Sequence, residues 1–242
     1  MAGASFVGVP IFPSGHNGHV AWGTTLGMAD TTDLYVEGPF DRPRDGTGEE
    51  AEKPITLREE IRVKGKATVI EEVTVTPRGP LLTPLINGGG YSLSIRAVWM
   101  QPRPVHGFLR AVRTRTIEEL REAFEAWPLM PLSLVFADDT GAIGWQLVGE
   151  TPVRRTGHGI VPAAAWPGDG DWEDAPVPYE DMPGAADPAE GYFVSANNRP
   201  IPESTETGAP FLGVDWADGL RAARIGQQLS GADRRDVAET AR

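Results

Sequence analysis

A strand-rich α+β fold is predicted by three features of the sequence. First, 29 glycines and 22 prolines cut the 242 residues into short apolar runs, and such punctuation favours strands and turns over long helices. Second, several of those runs alternate apolar with charged positions, which is the period of a strand. Third, only one mid-chain segment and two near the C-terminus space their apolar residues at helical intervals.

In chain order, Val20 to Leu26 and Asp33 to Glu37 read as strands joined by the polar connection Gly27 to Thr32. Ahead of them, Pro13 to Leu26 (PSGHNGHVAWGTTL) holds two of the protein's four histidines, His16 and His19. These flank Asn17-Gly18, a pair that favours a left-handed turn, and the next acidic residue is Asp30, so the stretch reads as a tight turn entering a strand and not as a metal ligand set. From Arg58 to Leu82, apolar and charged positions alternate around a turn at Lys64-Gly65-Lys66, the pattern of a hairpin with one solvated face. Tyr91 to Trp99 continues as a strand. Thr116 to Trp127 reads as an amphipathic helix, with a capping threonine, acidic residues in the first turn and Ile117, Leu120, Phe124 and Trp127 along one side. Ser133 to Gly149 forms a second hairpin around Asp138-Asp139-Thr140-Gly141. The span from Trp166 to Pro188 is acidic, proline-rich and without period, and is expected to be a long surface loop inside one domain covering 1–242. Gly191 to Ala196 reads as a short strand. Trp216 to Leu229 and Ala232 to Arg242 read as helices, the second without a stop signal, so the chain is expected to be an internal fragment.

Composition narrows the function classes. With a net charge of -12 and no basic cluster, neither nucleic acid nor an anionic membrane surface is an expected partner. No apolar run reaches the length of a membrane span, and the start MAGASFVGVPIF lacks the layout of a signal peptide, so a soluble protein is expected. The absence of cysteine removes thiol nucleophiles, thiolate metal sites and disulfides.

One set of motifs points further. The string GVPIFPSGHNGHVAWGTTLGMADTTDLYVEGPF, Gly8 to Phe40, resembles the segment of penicillin acylases (penicillin amidases) in which G-H-N-G-x-x-A-W-G-x-T precedes D-x-x-D. Four further blocks follow in the family's order: RGPLL at Arg78 to Leu82, FADDTGAIGWQLVGETPVR at Phe136 to Arg154, GYFVSANNRP at Gly191 to Pro200, and DGLRAARIGQQL at Asp218 to Leu229. Five ordered blocks are far more specific than any one of them. The resemblance implies membership of the N-terminal-nucleophile hydrolases, with part of a four-layer αββα sandwich and amide hydrolysis by a serine whose own α-amino group is the base.

Site residues follow by position from that resemblance. The backbone N–H of Leu26 and the side-chain amide of Asn197 match the two oxyanion donors, and removing such a donor costs on the order of a hundredfold in rate. Arg221 matches an arginine that positions the asparagine, and Met28 stands where the acyl pocket is lined. Asp30, Asp33 and the carbonyl of Thr32 match a calcium site, an oxygen set that suits this ion; no organic cofactor is implied. On the residues alone, Asn197 and Asn198 equally suit a strand end, Asp30 and Asp33 loop caps, and Arg221 a helical pair with Asp218.

Where the sequence departs from the family, the departure concerns the nucleophile. The family's catalytic subunit opens S-N-x-W several dozen residues before the G-H-N-G turn, whereas only fifteen residues precede His16, and Ser5 aligns with a loop. The chain alone is therefore expected to be inactive. Its partners, on the resemblance, are a small N-acyl amide substrate, the alpha subunit and the rest of the beta subunit, and export to the periplasm or medium is implied by the resemblance only. A non-catalytic β-rich binding module on the same scaffold is the alternative.

Overall fold

The computed structural model describes residues 1–8, 11–38, 53–82, 92–103, 106–165, 170–201 and 210–230. Its strands are β1 (Ala2–Ala4), β2 (Ser14–His16), β3 (Val20–Leu26), β4 (Thr32–Glu37), β5 (Ile55–Ile61), β6 (Val69–Val75), β7 (Ser92–Ala97), β8 (Leu132–Asp138), β9 (Ile143–Val148), β10 (Pro152–Arg154), β11 (Ala163–Ala164), β12 (Trp172–Pro176) and β13 (Gly184–Ala186). The α-helices are α1 (Gly107–Ala111), α2 (Ile117–Glu125) and α3 (Leu220–Leu229). Among the described residues, no helix is long and apolar enough to cross a membrane.

The chain divides into two compact units, each built from separated stretches. A single domain was the expectation from sequence. No linker marks the division, because the chain leaves the first unit after Asp30 and returns at Pro102, then leaves after Thr151 and returns at Val177.

The first unit carries a six-stranded sheet in the order β1-β2-β3-β8-β9-β13. At its centre, Val20 to Leu26 pair antiparallel with Asp138 to Leu132, and β8 pairs with β9 through the predicted four-residue turn. Because side chains alternate along a strand, Val20, Trp22, Leu132, Leu134, Phe136 and Val148 fall on one face. There they meet Ile117, Leu120, Ala123 and Phe124 of α2 in one buried cluster. Phe108 of α1 packs edge-on against Phe124, with ring centroids 4.8 Å apart. The opposite face holds a smaller cluster of Ala29, Leu147, Met182 and Leu212. The helix starts where the capping signal put it: the Thr116 hydroxyl accepts from the backbone N–H of Glu119. Asn17 secures the turn before β3, its Oδ1 accepting from the N–H groups of His19 and Val20 and its Nδ2 donating to the carbonyls of Ala111 and Thr114.

In the second unit, β4 lies between β11 and β7, and the β5-β6 and β10-β12 pairs stand as separate ribbons. The predicted hairpin is present, but β5 is exposed along its whole length and not on one face only. The interior of this unit is charged. Arg78 donates to both oxygens of Asp171, at 2.6 and 3.0 Å, and to the carbonyl of Ala165. Tyr35 donates to the carbonyl of Gly170; burial, with the nearby Asp33 carboxylate, pushes its hydroxyl up to about 12.

Three expectations change. The 166–188 segment, expected to be an unpatterned surface loop, contains β12 and β13, with Trp172 and Met182 buried. Strands of five and three residues carry too few positions to show a period. Gly191 to Ala196 is not a strand; there the N–H of Ala196 turns back to the Oδ1 of Asn198, a local bond that competes with a ladder. The helix expected from Trp216 begins at Leu220, with Gly219 at its N-cap; ahead of it the Asp218 carboxylate accepts from the N–H of Leu220, a local turn that competes with a helical continuation toward Trp216. The helix expected over Ala232 to Arg242 lies outside the described residues.

Candidate functional site

The candidate site lies within the first unit, where β3 ends. Gly27 donates to the carbonyl of Pro131 at 2.8 Å, which makes residues 27 and 131 a hydrogen-bonded pair of the β3-β8 ladder. Hydrogen-bonded and non-bonded pairs alternate along an antiparallel ladder, and a residue's N–H and C=O leave the strand on the same side. Leu26, one position earlier, therefore turns both its N–H and its carbonyl away from β8. That edge is where Asn197 arrives: its Nδ2 donates to the carbonyl of Leu26 at 3.0 Å. The two groups predicted from sequence as oxyanion donors thus stand on one edge of one strand. Leu26 is itself half exposed, at 51%.

Asn197 is held from three sides. Its backbone carbonyl accepts from the N–H of Ala217 at 2.9 Å, its Nδ2 binds Leu26, and its Oδ1 accepts from Nη2 of Arg221 at 2.9 Å. The same Nη2 donates to the carbonyl of Ala196 at 2.6 Å. This network fixes which end of the carboxamide is which: a guanidinium needs an acceptor and a carbonyl needs a donor, so the oxygen faces Arg221 and the nitrogen faces Leu26. One of the two Nδ2 hydrogens is spent on Leu26, and a primary amide carries a second. Arg221 serves Asn197 and not Asp218, whose carboxylate accepts from the N–H of Leu220.

The backbone here is unusual. Of the described residues other than glycine, three have positive φ, and two of these are Met28 at 57° and Asn197 at 62°. Asparagine tolerates this left-handed conformation, whereas a methionine held there stores strain of order 1 kcal/mol, and such strain gathers at functional sites. Met28 is 38% exposed. Between it and Leu26, Gly27 has to be glycine, since a Cβ would collide with Leu147 and with the backbone of Pro131.

The opposite face of β3 shows something the sequence did not reveal. The Thr25 hydroxyl lies 2.6 Å from that of Ser195. Ser195 donates to Ser133 at 2.7 Å, and the Trp145 indole N–H donates to the same Ser133 hydroxyl. Thr25 and Ser133 are register partners, so they share a face. Ser195, 170 residues from Thr25 in sequence, joins them from the loop that carries Asn197.

The calcium expectation meets a different geometry in the second unit. Asp33 is 3% exposed, and both its oxygens accept from Arg154, at 2.8 Å from Nε to Oδ2 and 2.8 Å from Nη2 to Oδ1. The Trp172 indole adds a bond of 2.6 Å to Oδ2. A guanidinium already neutralises this carboxylate, and an ion would have to displace it. In the first unit, Asp30 donates its N–H to the carbonyl of Leu212 at 2.7 Å. Thr32 pairs with Ala97 in the β4-β7 ladder. Among the described residues, no group of three or more His, Asp or Glu side chains is arranged to hold a metal ion. With Asp33 committed to Arg154, no chemistry is routed through calcium.

The family model of penicillin amidase matches residues 1–242. The chain belongs to the penicillin amidase family. Its relatives include the acyl-homoserine lactone acylase QuiP of Pseudomonas aeruginosa, 34% identical over 96% of this chain and 29% of the relative. A penicillin acylase 2 proenzyme from a Pseudomonas species is 32% identical over 95% of this chain and 30% of the relative. Among solved structures, the thermostable penicillin G acylase of Alcaligenes faecalis superposes with a TM-score of 0.74 at 24% identity, covering 97% of this chain and 42% of that one. The strand-rich fold of this penicillin amidase family member is thus that of a penicillin G acylase. The chain spans a little under a third of the length of the curated relatives it matches.

Proposed function

We propose that this chain carries the oxyanion-stabilising part of an N-acyl amidohydrolase. The observation that supports the reading is the clamped carboxamide: Asn197 one hydrogen bond from Leu26 and oriented by Arg221. When a nucleophile adds to an amide carbonyl, the oxygen gains a full negative charge. The second Nδ2 hydrogen of Asn197 and the N–H of Leu26 are donors for that charge, and donors that are already oriented cost no reorganisation as it forms. The Arg221 guanidinium holds Oδ1, fixes the amide plane and draws electron density away from Nδ2. Met28 offers an apolar wall to the acyl group.

The nucleophile, in this reading, is a serine activated by its own α-amino group, and none of the 242 residues stands in its place by the resemblance. The isolated chain is accordingly inactive. Its relatives' names cover acyl-homoserine lactones and penicillins; the substrate class common to both is an acyl group on nitrogen.

The test uses the complete gene product that contains this chain and a chromogenic N-acyl anilide. Asn197→Ala is expected to lower kcat/KM by about a hundredfold or more, and a loss below about threefold would remove Asn197 from the chemistry. The purified 242-residue chain is expected to release no acid from the same anilide, whereas a burst abolished by Ser5→Ala would contradict the assignment of the nucleophile. Tight binding of apolar acids by the complete product without turnover would favour a binding module.

A further inference from the structure

We infer that Ser195 is a positioning residue for the Asn197 carboxamide, acting through the hydroxyl of Thr25. The inference rests on the oxyanion reading above for its function, but on separate atoms for its geometry.

The loop at Ser195 to Asn197 is tied to the end of β3 at two points. Asn197 Nδ2 binds the Leu26 carbonyl at 3.0 Å, and Ser195 Oγ binds Thr25 Oγ1 at 2.6 Å. The anchoring residues are consecutive on the strand, and the residues they hold are two apart on the loop. One hydrogen bond between a loop and a strand leaves the loop free to pivot about it, whereas a second bond a few ångströms away fixes the angle. Ala217 and Arg221 hold Asn197 from the α3 side, and Ser195 adds the second point on the β3 side, where the loop makes no strand of its own and Asn197 sits at φ 62°.

The chain of hydroxyls has a direction. Ser195 donates to Ser133, so the single hydrogen of Ser195 is committed there and the Thr25 hydroxyl is the donor to Ser195. The Trp145 indole, which can only donate, completes the set on Ser133 at 2.7 Å. The Thr25–Ser195 bond itself needs only these two hydroxyls, and Ser133 and Trp145 extend it along β8 and β9.

The test reads the carboxamide itself in the 242-residue chain. In wild type, the two side-chain N–H resonances of Asn197, assigned by their loss in Asn197→Ala, are expected to be sharp and well separated, and to shift on titration with octanoate, a carboxylate with an apolar tail. Ser195→Ala and Thr25→Val should broaden that pair and weaken octanoate binding about tenfold, the effect of losing one ordinary hydrogen bond. Thr25→Ser, which keeps the hydroxyl, should restore both. Ser133→Ala separates positioning from stability, since it strips the indole and Ser195 of their acceptor yet leaves the Thr25 tie in place; it should lower Tm while sparing the carboxamide pair. Unchanged Asn197 resonances in Ser195→Ala would overturn the inference, as would equal broadening in Ser133→Ala. If wild type fails to bind octanoate while Ser195→Ala still broadens the pair, the tie stands and the oxyanion reading fails.

Discussion

Asn197 shows what one residue contributes when its donors, acceptor and backbone angle are all used. An aspartate there would turn a donor toward Leu26 into a second acceptor, and an alanine would leave Arg221 pointing at nothing. Its place beside Leu26 was legible from the block GYFVSANNRP, because five ordered blocks carried the alignment. Ser195 was not legible, although it lies in the same block, since its partner Thr25 is 170 residues away and hydroxyl pairs leave no pattern in sequence. Asp33 was read as a calcium ligand, and its bond to Arg154 was not legible, since the approach of Arg154 is set by tertiary packing. With both side chains 4% exposed, this pair gives a prediction at the same scale. Arg154→Met, which leaves a buried carboxylate unpaired, is expected to destabilise the second unit by about 3 to 5 kcal/mol in urea titrations, and Asp33→Asn by less. Calcium added to the wild-type chain is expected to leave Tm unchanged; a rise of several degrees would mean that the ion competes successfully with the guanidinium.

Among the elements, those that repeat a period were readable and those that do not were missed. The β8-β9 hairpin and α2 have seven and nine residues in their longest runs, enough to show alternation and a capping box. α1, at five residues, and β13, at three, are too short for either. Asp138 joins the two readable elements. Its carboxylate accepts from the Thr140 hydroxyl and N–H, from the N–H of Ala142 and, across to the first turn of α2, from the N–H of Ile117. The Thr140 hydroxyl foremost, then the backbone N–H groups, hold this carboxyl below its ordinary value of 3.8. A depressed carboxyl stabilises the fold in its ionised form, so its contribution is complete above the ordinary value and fades as pH falls below it. Asp138→Ala is therefore expected to cost less than about 1 kcal/mol at pH 7, since solvent screens this carboxylate, with the gap between wild type and variant narrowing as pH falls below 3.8. A gap independent of pH would assign the loss to packing.

At the scale of the molecule, two units of different character share one chain. The first has an apolar core between a sheet and two helices, and it contains every residue of the candidate oxyanion site. The second pairs three carboxylates, the buried Asp33 and Glu37 side chains and the partly buried Asp171, with Arg78 and Arg154. Composition could not show this division, because each unit is assembled from stretches that alternate along the chain. What sequence did convey was a set of motifs, three of which bring Leu26, Asn197 and Arg221 together at a single edge of β3. The central claim is that the N–H of Leu26 and the carboxamide of Asn197 form one anion pocket. Titrating the isotope-labelled chain with octanoate while following both groups by amide NMR tests it most directly. The account predicts that the Leu26 backbone signal and the Asn197 side-chain pair shift together with a single Kd; movement of one without the other, or two different affinities, would contradict it.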